Sequence, residues 1–422
     1  MNILIVDAYH DSDKGGVGIL HGLLISLKGV IENQKLSAKI DVMYRFSKED
    51  VRFTTANRHT RKVFSNMKIY PYPIDTTRYN NISKKVISIF TKFIYSLIIL
   101  TIPTVFSDDS IKAIANADII ISKGGHFYQS RERNFLKGFF GTYFSIFPLI
   151  LAIRLKKPFV LLSHSFGPFN NNGTKIILRF VLSRAKIITT REKLSKEKLM
   201  KIKNQIYVVP DTAFAFNMSR EGKKEITKRL LTRYKLQTQT FAVITARQWD
   251  FLEYENYLSI LAKIADLLVT KYVNKVVLVA HNTGEHDIKE KDSVPIDAIF
   301  KKVKNKEHIV IIKDDLSPYE LLCLYGSAEA MIGTRLHSVI FSYLSGVPAI
   351  AIAYTHKTEG IMQLIGMERY VINIETMDFE KMKSLIKDLF LYRDEIRTNV
   401  TEKINQFRDQ INDELKIILC GG

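Results

Sequence analysis

Cysteine is almost absent. Cys323 and Cys420 are the only two in 422 residues, far apart and in no metal-ligand spacing. A disulfide framework is excluded, and a reducing compartment is expected. Acidic residues are also scarce: 43 Asp and Glu face 62 Lys and Arg, a net charge of +19. That balance describes either a solvated basic surface or a protein that meets anionic substrates or an anionic membrane face. Nucleic acid is not expected as a partner, because RNP, zinc-finger and helix-turn-helix signatures are missing. Zinc and calcium spacings, a Walker lysine loop and a G-x-S-x-G elbow are missing as well. His281 and His286 stand five apart in a glycine-containing loop with no cysteine nearby. Neither a metal nor another cofactor is expected. The chain opens directly as a strand, Met-Asn-Ile-Leu-Ile-Val-Asp-Ala, without a basic n-region or cleavage site. The expected location is therefore the cytoplasm.

What is present is a globular composition, 46% hydrophobic and 25% charged, in a chain too long for one core. Short Val/Ile/Leu runs alternate with helical segments, which argues a parallel sheet covered on both faces. The first set of strands is read at Ile3–Asp7, Ile40–Tyr44, Asp118–Ser122, Phe159–Ser163, Ile187–Thr190 and Ile206–Val209. A polar, basic stretch from Asn217 to Arg229 then separates it from a second set. Those strands are read at Phe241–Thr245, Lys275–Ala280, Ile309–Ile312, Ala330–Ile332, Ala349–Ala353 and Tyr370–Ile372. The expected domains are 1–216 and 217–422, the second ending in two amphipathic helices. The fold class is α/β, with two Rossmann-like doubly wound domains facing a cleft, an architecture like glycosyltransferase-B. Of two apolar stretches, 93–106 has Lys92 before it and Asp108-Asp109 after it, and 135–153 is followed by Arg154, Lys156 and Lys157. They read either as buried helices or as a peripheral contact with the bilayer.

The motifs fall where strands hand over to helices, at the carboxyl edge where ligands of α/β proteins bind. Gly333-Thr-Arg-Leu-His-Ser338 places Arg335 and His337 at a helix start. Cations disfavour that position unless an anion joins them, so a phosphate or carboxylate site is expected. Arg247 ends a strand of the same half, where a guanidinium can grip such an anion in bidentate fashion. Gly15 and Gly16 in the first βα turn, and Lys123, Gly124, Gly125 and His126 after the third strand, allow close approach of a substrate. Each is equally readable as an ordinary turn. His164 and Asp211 follow strands of the first half. They are either loop residues or a base and a carboxylate facing the cleft.

Together these segments resemble the polysaccharide pyruvyl transferase family. The likeness runs through ILIVDAYHDSDKGGVGILHGL, ADIIISKGGHFYQ, LLSHSFGPF, ITTREKLS, VVPDTAF, TARQW and IGTRLHSVIFSYLSGVPAIAIAYTHKTEGIMQLIG. The last is the most specific, with Gly-x-Arg-x-His before an apolar helix and a Gly-Val-Pro strand entry. The resemblance implies transfer of a pyruvyl group from phosphoenolpyruvate to a hexose of a cell-surface polysaccharide, exopolysaccharide or capsule, or of its lipid-linked precursor, forming a ketal. Arg335 and His337 match the family's marker residues. Lys357 is a further candidate for the donor, and His337 is assigned the proton transfer, the alternative being that it only holds the phosphate. His164, His126 or Asp211 would deprotonate the sugar in the acceptor half. Two segments depart from the family pattern. Ser12-Asp-Lys-Gly-Gly16 stands where an Asn-x-Gly-Asp run is common, and Ser163-His-Ser-Phe-Gly-Pro168 replaces Gly-Gln-Ser-x-Gly-Pro. The competing reading is a nucleotide-sugar-dependent glycosyltransferase of the same architecture.

Overall fold

A computed structural model describes residues 1–77, 81–103, 108–130, 132–200, 202–203, 205–285 and 290–421, the side chain of Ile82 excepted. The end of the first apolar stretch, 104–106, and His286 lie outside the described residues. The chain divides into two compact units. One comprises Met1–Asp11, Ile19–Thr212 and Gln410–Gly422; the other comprises Ser12–Gly18 and Ala213–Asp409. Both units are discontinuous in sequence, unlike the continuous halves 1–216 and 217–422 that the sequence predicts.

The first unit is built from β1 (Asn2–Ala8), most of α1 (Lys14–Asn33), β2 (Lys39–Tyr44), α2 (Val51–Thr55), α3 (Arg58–Val63), β3 (Ile69–Tyr70), α4 (Ile82–Thr101) and α5 (Asp109–Asn116). It continues through β4 (Ile119–Ser122), β5 (Gly125–Ser130), α6 (Phe135–Ser145), α7 (Phe147–Arg154), β6 (Phe159–Phe169), α8 (Asn172–Leu182), β7 (Ile187–Thr190), α9 (Lys193–Leu199) and β8 (Tyr207–Val208). Its sheet has the order β3-β2-β1-β4-β6-β7-β8, with β5 pairing β6 beyond the end of β4. The second unit contains α10 (Arg220–Tyr234), β9 (Phe241–Thr245), α11 (Tyr254–Lys271), β10 (Lys275–Val279), α12 (Ser293–Lys302), β11 (Ile309–Ile312) and α13 (Pro318–Gly326). After these come β12 (Ala330–Gly333), α14 (Leu336–Leu344), β13 (Ala349–Ala353), α15 (His356–Ile365), β14 (Val371–Asn373), α16 (Phe379–Leu391) and α17 (Arg393–Cys420), whose last turns belong to the first unit. Its strands run β11-β10-β9-β12-β13-β14, all parallel.

Local chemistry explains the elements. Strands β4, β9, β12 and β13 are buried along their whole length, so both faces carry apolar side chains. Helix α13 starts on a capping box between Ser317 and Glu320, with Pro318 in the first turn. Helix α15 stops at Gly366, whose φ of 82° is open to glycine.

Three features depart from the sequence reading. Strand β3 is too short to show a pattern. Strand β5 occupies Gly125–Ser130, where a turn was expected. The apolar stretch 135–153 forms two helices rather than one: α6 ends at Ser145 and α7 begins at Phe147, bent by 67°. Pro148 stands in the first turn of α7, where its missing N–H removes no helical hydrogen bond.

Candidate active site

In the second unit, four neighbouring strands end side by side. Arg247 follows β9, His281 follows β10, Arg335 and His337 follow β12, and Tyr354 with Lys357 follows β13. The register sets this alignment, since Gly333 of β12 lies beside Thr245 of β9.

Arg335 is 6% exposed. Its Nε and Nη2 donate to the Asp292 carboxylate at 3.1 and 2.6 Å, and its Nη1 donates to Glu290 at 2.5 Å. Burial alone would discourage its charge, but Asp292 and Glu290 raise its pKa well above the ordinary value. The other Glu290 oxygen accepts from Arg247 Nη2 at 2.6 Å. One carboxylate therefore bridges two guanidinium groups. Arg247 also donates from Nη1 to the Tyr354 hydroxyl at 2.5 Å, and it lies over the rings of Trp249 and Tyr354. The Lys357 ammonium sits 5.8 Å from the Tyr354 ring centre. Burial pulls the Tyr354 phenol upward, but Lys357, Arg247 and Arg335 outweigh it and leave the pKa lowered.

Polar groups accumulate here without partners. Arg247 Nε, Gln248 Oε1, His281 Nε2, Thr355 Oγ1 and Thr358 Oγ1 are buried with no hydrogen-bond partner among the described residues. Each such atom costs about 1–3 kcal/mol, so a cluster of them marks a place for ligand groups. Helices α14 and α15 both begin beside them without a side-chain cap. Two helix N-termini thus add their partial positive charge to that of Arg247 and Lys357.

His337 is half-buried, and its ring rests on Gly15. A Cβ at Gly15 would overlap Nδ1 of that ring. Gly16 leaves room for the Asp13 carboxylate to fold back over it. The adjoining Lys14 is buried and paired with Asp315, and its backbone N–H donates to Asn282 at 3.2 Å. Asn282 in turn donates its N–H to Asp292 at 2.9 Å. The first turn of α1 is thereby tied to the carboxylate that holds Arg335. Buried His281 meets the Tyr325 hydroxyl at 3.0 Å. Burial first, then the neighbouring Arg335, His337 and Lys14, holds its pKa well below the usual value.

The first unit holds a different cluster. Asp7, at the end of β1 with φ 68°, accepts from Arg45 at 2.8 Å, from the Ser122 hydroxyl at 2.6 Å and from the Tyr128 hydroxyl at 2.9 Å. His164 Nε2 lies 2.9 Å from Ser122 Oγ. His164 is fully buried, and that burial pushes its pKa down to about 3. Asp211, also fully buried, pairs with the Arg191 guanidinium, which donates to Ser165 at 2.7 Å. Both residues, expected as a base and a carboxylate facing the cleft, are thus enclosed and hydrogen-bonded within the first unit. Lys123 is buried below Phe127. His126 meets the Gly167 carbonyl at 2.7 Å. A Cβ at Gly124 would come within 2.8 Å of the Ser163 carbonyl, and one at Gly125 would strike the Phe127 ring. These glycines serve close packing within the unit.

The family model for polysaccharide pyruvyl transferase matches residues 45–356. The chain belongs to that family. It is also similar to the amylovoran biosynthesis protein AmsJ of Erwinia amylovora, 26% identical over 270 residues. That match covers 61% of this chain and 64% of AmsJ, so it spans less than two thirds of the relative. Among solved structures, UDP-GlcNAc 2-epimerase from Neisseria meningitidis bound to UDP-GlcNAc aligns over 100% of both chains, with TM-score 0.61 and 11% identity. A glycosyltransferase from Rickettsia africae gives 0.55 at 14% identity, covering 100% of this chain and 99% of its own. Anabaena HepE in complex with UDP and glucose gives 0.55 at 11%, over 100% of both chains. These likenesses show the fold, two parallel-sheet α/β units of the glycosyltransferase-B type. Within this pyruvyl transferase fold, the second unit brings together Gly15, His337, Arg335, Arg247 and Lys357. Gly16 lies in the same unit beside Gly15, and the remaining expected residues, Lys123, Gly124, Gly125, His126, His164 and Asp211, lie in the other unit. Glu290, Asp292, Tyr354, Asp7 and Arg45 escaped the sequence reading. Tyr354 had a signal in its place one residue beyond a strand, whereas Glu290 and Asp292 had none.

Proposed function

We propose that this protein transfers the pyruvyl group of phosphoenolpyruvate to a hexose of a polysaccharide or of its lipid-linked precursor. The family supports a transferase that modifies polysaccharide. The observation that carries the donor is the Glu290 carboxylate bridging Arg247 and Arg335, beside two uncapped helix N-termini. A substrate carboxylate has the shape and charge to take that bridging place, and the partial positive charge at the N-termini of α14 and α15 suits a phosphate. Lys357 adds charge on the α15 side, while Asp292 holds Arg335 in position.

Chemistry then proceeds at the enol. His337 gives a proton to the methylene carbon, and positive charge develops at the carbon bearing phosphate and carboxylate. One sugar hydroxyl adds to that carbon and its proton returns to His337. A second hydroxyl of the same sugar adds as the bond from carbon to the phosphate oxygen breaks, and its proton leaves on the departing phosphate. The products are a pyruvate ketal and inorganic phosphate. Gly15 sets the ring position of His337, and the anion grip keeps the methylene within its reach.

The test is phosphate release and ketal formation with labelled phosphoenolpyruvate and a panel of lipid-linked and nucleotide-linked hexoses. His337→Ala is expected to abolish turnover with an unchanged thermal midpoint. Phosphate release near the wild-type rate by that variant refutes the role of His337. Thermal stabilisation by UDP- or GDP-sugars, with none by phosphoenolpyruvate, refutes the donor.

A further inference from the structure

Helix α4 is apolar on two faces, and only one of them is packed. Phe93 meets Phe140 of α6 with ring centres 5.2 Å apart, and Ser96 shares a 2.8 Å hydrogen bond with Tyr143. Ile99 is buried on the same side. The opposite face carries Val86, Ile87, Phe90, Ile94, Leu97 and Ile98, all exposed, with Phe90 at 66%. Their spacing of three and four residues makes one continuous stripe. Neighbouring helices repeat the pattern. Phe135 and Leu136 open α6 in solvent, and Ile176 and Phe180 are exposed on α8, which packs on α6 through Thr142 and Thr174. An apolar surface of this extent is more than scattered exposure on a soluble protein.

Charge identifies what covers it. Helices α4, α6 and α8 contain no Asp or Glu. Their exposed cations are Lys84, Lys85, Lys137, Lys175 and Arg179. Two copies of this face pressed together would bring like charges into opposition. An anionic lipid surface satisfies both features, since its interior takes the apolar stripe and its headgroups take the cations. The buried side of α4 and its three lysines rule out a helix crossing the bilayer.

We propose that the first unit attaches to an anionic bilayer surface through the exposed face of α4, with the starts of α6 and α8 at its margin. The helix lies in the interface plane, and the attachment is peripheral. Under the reading above, it would keep the enzyme where a lipid-linked acceptor is found. The attachment itself does not depend on which donor the second unit takes.

Flotation of the full chain with vesicles tests this. Vesicles containing phosphatidylglycerol should carry the protein upward, and vesicles of phosphatidylcholine alone should carry much less. Lys84→Glu with Lys85→Glu should lower the bound fraction, and raised salt should do the same. A Phe90→Gln, Ile94→Gln, Ile98→Gln variant should lose about tenfold in binding while keeping its circular dichroism and thermal midpoint. Its turnover on a water-soluble acceptor should be unaffected, which separates this proposal from the donor assignment. Failure to float with any vesicle overturns the proposal. So does a folded triple variant that binds as wild type, or a dimer in sedimentation that the triple substitution dissociates.

Discussion

At the scale of single residues, the pair Gly15 and His337 carries the most weight. Glycine at 15 is not required by the backbone, because it lies in the first turn of α1 without a positive φ. Alanine there would improve helix propensity. What forbids a side chain is the imidazole resting on the site. The overlap reaches Cγ and Cβ of His337, so Gly15→Ala is expected to lower stability by about 1–3 kcal/mol and to move His337 off its place. A displacement of about 1 Å costs on the order of a hundredfold in rate when the group acts on the reacting atoms. Steady-state phosphate release checks this, and wild-type kcat/KM in the variant would contradict it. The buried Arg335 shows the complementary case. Its charge is stable inside the unit because Asp292 and Glu290 sit against it.

Single elements meet through small residues. Helices α6 and α8 approach at Gly138 and Gly173. A Cβ on Gly173 would come within 2.6 Å of the Phe135 carbonyl and 2.9 Å of Phe139 Cβ. Backbone cannot swing aside as a flexible side chain does, so Gly173→Ala must push the helices apart. A loss of about 1–3 kcal/mol is expected from overpacking of this kind. Urea unfolding would read it as a lower midpoint, and an unaltered midpoint would show that the helices have slack. The same displacement disturbs the exposed surface of α4, α6 and α8, so vesicle binding should fall in parallel.

Across the whole molecule, buried histidines set the response to acid. His21 and His164 in the first unit are held near 3 by burial, and His281 in the second is also strongly lowered. The unfolded chain takes up these protons near pH 6.5, and the folded chain does not. Folding stability is therefore full above pH 6.5 and falls as the pH drops from there toward 3. Between pH 6.5 and 5, each of His21 and His164 accounts for about 2 kcal/mol. Unfolding free energies at pH 7 and pH 5 check the total, and His21→Asn should flatten the difference. A chain equally stable at both values would mean that these rings reach water. Much of the fold was legible beforehand, because strands buried on both faces appear as continuous apolar runs. Strand β5, Gly-His-Phe-Tyr-Gln-Ser, was not, since it is polar and its pairing with β6 is irregular. The amino-acid order alone determined the alternation of strands and helices and put Arg335 and His337 at the start of a helix, because periodicity and strand ends are local properties. Tertiary structure alone decided which groups those two residues meet. Sheet register and packing join Glu290 to both arginines, set Gly15 beneath His337 and enclose His164 and Asp211, and no local pattern carries information about such distant neighbours.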